Sequence, residues 1–178
     1  MEFSFRKLDS SDVSVVLNWL KKPHIQEFWD NSKENHDDIK HFAEERKIRP
    51  YHDGIYSYWL GAIDNDIFCM IMTSRIESDS YIHRDYILRD QITYSLDFCI
   101  GNKTYLAQGL AAPVLKEFIK YFKKNIDPSV GAFFIDPHRS NPRAKHVYQK
   151  AGFKIVGEFV RESGFFTGQL HDLLIIKI

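Results

Sequence analysis

The stretch Tyr94-Ser-Leu-Asp-Phe-Cys-Ile-Gly-Asn-Lys-Thr-Tyr-Leu-Ala-Gln-Gly-Leu-Ala-Ala-Pro113 reads as a strand, a tight turn and the start of a helix. The strand is apolar except for Asp97. The turn is Leu106-Ala-Gln-Gly-Leu-Ala-Ala112, and the helical period follows in Val114, Leu115, Phe118, Ile119 and Phe122. Backbone N–H groups at a helix N-terminus have no intrahelical partner, and with the helix dipole they suit a phosphate. Small residues at Ala107, Gly109, Ala111 and Ala112 let the backbone approach a pyrophosphate closely. Pro113 lacks an N–H, which an early helical position does not need. A dinucleotide fingerprint needs GxGxxG and a Walker loop needs GxxxxGK-S/T; neither occurs, and Gly101-Asn-Lys-Thr104 mimics only the tail of the second. A packing joint between strand and helix would look the same, so this turn alone leaves both readings open.

A second stretch narrows the choice. Asp136-Pro-His-Arg-Ser-Asn-Pro-Arg-Ala-Lys-His-Val-Tyr-Gln-Lys-Ala-Gly-Phe153 follows the apolar strand Val130 to Ile135. Asn141 is placed as N-cap with Pro142 at the first helical position, and Gly152 as the residue that closes the helix.

Working outward, Phe3 to Leu8 alternates as a strand, and Asp9-Ser-Ser-Asp12 offers N-cap groups for a helix ending near Leu20. His24 to Asp30 is a short aromatic segment, and Asn35 to Arg46 a polar helix. Tyr56 to Ile63 and Ile67 to Ile76 are strands around the hairpin turn Asp64-Asn65. Residues 77–92 form a long polar loop, of the kind that often carries function. Phe153 to Phe159 and Leu170 to Ile178 complete a β-α-α-β-β-β-α-β-α-β-β order. That order predicts an α/β chain with a mixed sheet of about seven strands and helices on both faces.

With 178 residues and a hydrophobic fraction of 44%, the chain is expected to form a single domain, 1–178. Its 24 basic and 24 acidic residues cancel, so no global field favours nucleic acid or an anionic membrane as a partner. Cys69 and Cys99 lie in apolar runs and read as free thiols. No signal peptide or spanning run is visible, which makes a cytoplasmic location the expectation. Eight histidines raise the question of a metal, but no His/Cys/Asp cluster has ligand spacing, so none is expected.

In order and spacing the two stretches resemble the GNAT superfamily of N-acetyltransferases. The family turn has the form Q/R-x-x-G-x-G/A, here Leu106-Ala-Gln-Gly109-Leu-Ala111. A hydrophobic first residue is similar to the aminoglycoside 6′-N-acetyltransferase and siderophore-type branch. Trp19-Leu followed by His24-Ile-Gln-Glu-Phe-Trp29, and Ser95-Leu-Asp-Phe-Cys-Ile100, resemble that branch as well. The resemblance implies a GNAT fold, mostly antiparallel, splayed between the fourth and fifth strands, with acetyl-CoA as cosubstrate. It also implies direct transfer in a ternary complex to a primary amine of a small polycationic substrate, an aminoglycoside 6′-amine in an antibiotic-resistance role leading. Hydroxylysine-type siderophore precursors, polyamines, a protein N-terminus, or a non-catalytic acyl-CoA-binding domain are the alternatives. A monomer or homodimer is expected.

The resemblance implies the following roles. Backbone at Phe98, Cys99 and Ile100 binds pantetheine and the thioester carbonyl. Leu106, Gln108, Gly109, Leu110, Ala111 and Ala112 hold the pyrophosphate, with Asn141, Ala144 and Tyr148 also on the coenzyme. Asp97 takes the substrate ammonium and its proton; the structural alternative is a hydrogen-bonded Asp in a strand, where an unpaired carboxylate is costly. Tyr148 is the general acid toward the thiolate, or else a core aromatic in line with Ala144 and Ala151. The residues themselves add three substrate candidates: Trp29, by ring stacking or else a core tryptophan, Asp136 at the end of a strand, and His171 at the start of the last strand. An acidic cleft for a polycation would draw on Glu27, Asp30, Asp97 and the Glu77/Asp79 segment.

Overall fold

The computed structural model describes residues 2–77, 82–88 and 90–178. In chain order the elements are β1 (Phe3–Lys7), α1 (Val13–Leu20), α2 (Pro23–Gln26), α3 (Lys33–Ala43), β2 (Ser57–Ile63), β3 (Asp66–Arg75), β4 (Ile92–Ile100), α4 (Ala111–Asn125), β5 (Val130–Ile135), α5 (Pro142–Ala151), β6 (Lys154–Val160) and β7 (Leu170–Lys177). The sheet order is β1-β2-β3-β4-β5-β7-β6. β4 and β5 run parallel, while β1–β2, β5–β7 and β6–β7 are antiparallel, so the expected mixed sheet is present. Asp64 and Asn65 both take positive φ, 48° and 71°, as a tight primed hairpin turn requires.

The chain divides into two compact units, Met1–Met72 with Phe98–Gln108, and Thr73–Asp97 with Gly109–Ile178. The first is built on Val16, Trp19, Leu20, Ile25, Trp29, Ile39, Tyr58, Leu60 and Met70. Beneath that apolar layer runs a polar chain. Trp29 Nε1 donates to Asn35, Asn35 to the Tyr58 hydroxyl, and Tyr58 to Asp38, which also receives Arg49. α1 starts at Val13 as expected, yet Asp12 does not cap it. Its carboxylate instead takes the Arg6 guanidinium at 2.6 and 2.8 Å and the Asp9 N–H at 2.9 Å. A bidentate charged pair outcompeted the neutral cap.

In the second unit, Ala132, Phe134, Leu173 and Ile175 form a cluster covered by Ile76, Val156, Phe159 and part of the long polar loop. Ile82, Tyr86 and Leu88 pack there, and the Tyr86 hydroxyl donates to Val156 O at 2.8 Å. The sequence reading of that segment as an irregular polar loop missed this apolar side. Residues 78–81 and 89, and with them Asp79, lie outside the described residues.

α4 buries Ala112, Val114, Leu115, Phe118, Ile119 and Phe122 and leaves its lysines outward. α5 opens as expected: Asn141 Oδ1 accepts the Ala144 N–H at 3.1 Å, Pro142 occupies the first turn, and Gly152 closes the helix at φ 108°.

Candidate active site

β4 and β5 pair from Ile92/Val130 only as far as Ser95/Phe134. β4 continues to Ile100, so its last residues have parted from β5, and the splay expected between the fourth and fifth strands is present. Asp97 stands two residues past the last pair.

Asp97 is half-buried and lies beyond the residues through which β4 pairs with β5. Burial pushes its carboxyl up to about 7, and the nearby Asp136 carboxylate adds to the rise. The positive charge of Arg161 and the His171 ring pull the other way. A carboxyl so placed can hold an ammonium and accept its proton near neutral pH.

The three neighbours form a fixed group. Asp136 lies at the end of β5, where residues 137–139 run along the start of β7: Asp172 N–H donates to Pro137 O and Arg139 N–H to Leu170 O. This brings His171 Nδ1 to 2.8 Å from Asp136 O and 3.3 Å from Asp136 Oδ2. The Arg161 guanidinium ion-pairs with the same carboxylate, whose side chain is only 6% exposed. His171 is 4% exposed, stacks on Phe159 and meets Phe166 and His138 edge-on; its Nε2 is buried without a hydrogen-bond partner. Arg161 was missed in the sequence. It sits at the end of a strand 25 positions from Asp136, and nothing local distinguishes it from a solvated arginine.

The turn before α4 has the features a phosphate needs. Ala107 and Gly109 take positive φ, 60° and 73°. A Cβ at Gly109 would meet nothing within 4 Å, so the turn is open there. No side chain caps α4, whose first bond runs from Val114 N–H to Leu110 O. α3 and α5, by contrast, are capped by Ser32 and Asn141. Gln108 is exposed and its amide donates back to Thr104 O at 2.5 Å; Leu106 is half-buried and extended. No side chain occupies the amides that open α4, and β4 has no partner in β5 past Ser95. Tyr148 is buried, with its ring against Phe153.

Of the remaining sequence candidates, Glu77 lies exposed in the second unit, 4.0 Å from Arg75, and the others lie in the first. Trp29 is 6% exposed within the core cluster, with its N–H turned to Asn35, so it is not presented for stacking on a sugar. Asp30 is engaged by the Tyr51 hydroxyl at 2.6 Å and the Ser32 N–H at 2.8 Å. Glu27 follows α2 on the surface. Among the described residues, no group of three His, Cys, Asp or Glu is placed to hold a metal ion, and no helix is long and apolar enough to cross a membrane.

The family model for the acetyltransferase (GNAT) domain matches residues 9–161. Among solved structures, the aminoglycoside N(6′)-acetyltransferase of Legionella pneumophila is similar over 99% of this chain and 94% of that one, with a TM-score of 0.78 and 28% identity. Aminoglycoside acetyltransferase AAC(6′)-Ib in complex with coenzyme A and kanamycin is similar over 99% and 95%, at 0.74 and 16% identity. A spermidine N-acetyltransferase SpeG chimera from Vibrio cholerae is similar over 99% and 96%, at 0.69 and 16% identity. The chain belongs to the GNAT acetyltransferase domain family. It is an acetyl-CoA-dependent N-acetyltransferase, with its fold shared by the aminoglycoside 6′-acetyltransferases.

Proposed function

We propose that the protein acetylates a primary amine of a small aminosugar of the aminoglycoside type, at the 6′-position, by direct transfer. The observation that carries this reading is Asp97, set past the last β4–β5 pair with its carboxyl pushed up to about 7. The likeness to the Legionella enzyme directs the choice of amine.

The acetyl donor supplies an activated thioester. The amides of Phe98, Cys99 and Ile100 take the pantetheine and polarise the carbonyl, and those of Gln108 to Ala112 hold the pyrophosphate. Asn141 and Ala144 at the start of α5 touch the coenzyme while Asn141 caps the helix. Asp97 binds the ammonium and, directly or through a water, takes one of its protons, so that the neutral amine attacks the thioester carbonyl; the second proton leaves the nitrogen after the C–N bond has formed and replaces the one that Tyr148 gives up. Tyr148 gives a proton to sulfur as the C–S bond breaks. His171 lines the amine side. The test is thiol release from acetyl-CoA against kanamycin- and tobramycin-like aminoglycosides, spermidine, N-hydroxylysine, lysine and short peptides. Turnover centred on the aminoglycosides is expected; turnover confined to another amine overturns the aminosugar assignment.

A further inference from the structure

The charges around Asp97 do not suit every polycation equally. Five groups of the second unit face this region: Asp97 from β4, Asp136 from the end of β5, Arg161 from the end of β6, His171 from β7 and His83 from residues 82–88. His83 packs on Phe134 at 4.7 Å, and its burial favours the neutral ring. Arg139, Lys145, Glu158 and Asp172 are paired among themselves. Two carboxylates, one guanidinium and the His171 ring remain, which leaves at most one net negative charge for a substrate.

The guanidinium is also fixed in place. Arg161 N–H donates to Gln169 O at 3.0 Å, and Gly168 N–H donates to Arg161 O at 2.7 Å. Its guanidinium lies over the Phe159 ring at 5.6 Å and ion-pairs with Asp136, while His171 closes the other side of that carboxylate. Asp136 is therefore sealed, and the Arg161 side chain, 36% exposed, is what a substrate meets in its place.

We propose that Arg161 is a specificity-determining residue: it occupies the carboxylate that would take a second ammonium, and so selects acceptors that present one amine to Asp97 with an oxygen acceptor, not another ammonium, beside it. This rests on Asp97 as the ammonium site. A guanidinium repels a neighbouring ammonium and donates to a hydroxyl, and its planar fork makes the distinction geometric as well as electrostatic.

Kanamycin A and kanamycin B test it, because they carry the same 6′-amine and differ only at C2′ across that ring, a hydroxyl against an amine. Wild type is expected to favour kanamycin A in kcat/KM by about tenfold. R161Q should abolish that preference, chiefly by lowering KM for kanamycin B, and R161K should retain it. Equal specificity in wild type, or an unchanged ratio in R161Q, overturns the proposal. If neither sugar is acetylated, the aminosugar assignment fails by itself, and the same ratio is read with 5-amino-1-pentanol against cadaverine. Calorimetric titration of each pair into wild type and R161Q loaded with coenzyme A reads the preference without turnover. Absence of any preference in these titrations also overturns it.

Discussion

The Asp136 carboxylate, itself clamped by Arg161, strengthens the hold of Asp97 on its proton. Burial contributes most to that hold, and the two together move the Asp97 carboxyl from an ordinary 3.8 to about 7. As the proposed base, Asp97 must be ionised to act. The kcat/KM for acetylation is therefore expected to rise with pH through about 7.

Stability should run in the opposite direction. The folded protein binds the Asp97 proton more tightly than the unfolded chain does. The stabilisation is complete below pH 3.8 and is lost as pH rises from there through about 7. Asp97→Asn removes that loss. Its Tm relative to wild type should climb between pH 5 and 8, while acetylation falls on the order of a hundredfold. A Tm difference that does not change with pH would show that Asp97 is ionised in the fold throughout.

Tyr148→Phe keeps the buried ring against Phe153 and removes only the hydroxyl. Single-turnover acetylation is expected to slow on the order of a hundredfold, with coenzyme A affinity in calorimetry nearly unchanged. Full activity in this variant would return Tyr148 to a core aromatic.

Gly101→Ala tests packing in the first unit. A Cβ there would lie 1.9 Å from Cδ2 of the buried Trp19 and 2.1 Å from its Cε3. Neither the indole nor the backbone can yield easily, because Gly101 N–H donates to Phe68 O at 2.8 Å. Urea denaturation should show a loss of about 1–3 kcal/mol. Wild-type stability would mean that the indole swings aside freely.

Asn141→Ala separates two duties of one side chain. Removing the cap bond to the Ala144 N–H should lower stability by about 1 kcal/mol. Asn141→Asp restores a capping acceptor but adds negative charge. If Asn141 also touches the coenzyme, Asp will recover the melting temperature and leave KM for acetyl-CoA raised. Recovery of both would assign the residue to the cap alone.

Much of this fold was legible because its signals are local. The β5 bounds and the Asn141, Pro142 and Gly152 punctuation of α5 are legible, since caps, turns and apolar periods act over a few residues. What escaped were contacts between distant positions. Asp12 reads as a cap until Arg6 arrives from β1. Residues 82–88 read as an open polar loop, because Ile82, Tyr86 and Leu88 do not recur at one period, yet they cover Phe134. Trp29 reads equally well as a platform or a core ring, and only its bond to Asn35 decides between them. In the site, Asp97 announces itself as a charge in an apolar strand. The pairing of Arg161 with Asp136 has no such signature, because it arises where two strand ends meet.

The turn that returns β6 to β7 begins and ends its hydrogen bonding on the backbone of Arg161. Asp97 lies on a different strand and makes no hydrogen bond to that turn. With Arg161 and Asp97 in their proposed roles, acceptor choice and acetyl-transfer chemistry are therefore modular. Exchange or lengthening of residues 162–169 would then re-aim the guanidinium and shift the range of amines accepted, while the strand that carries Asp97 is inherited unchanged.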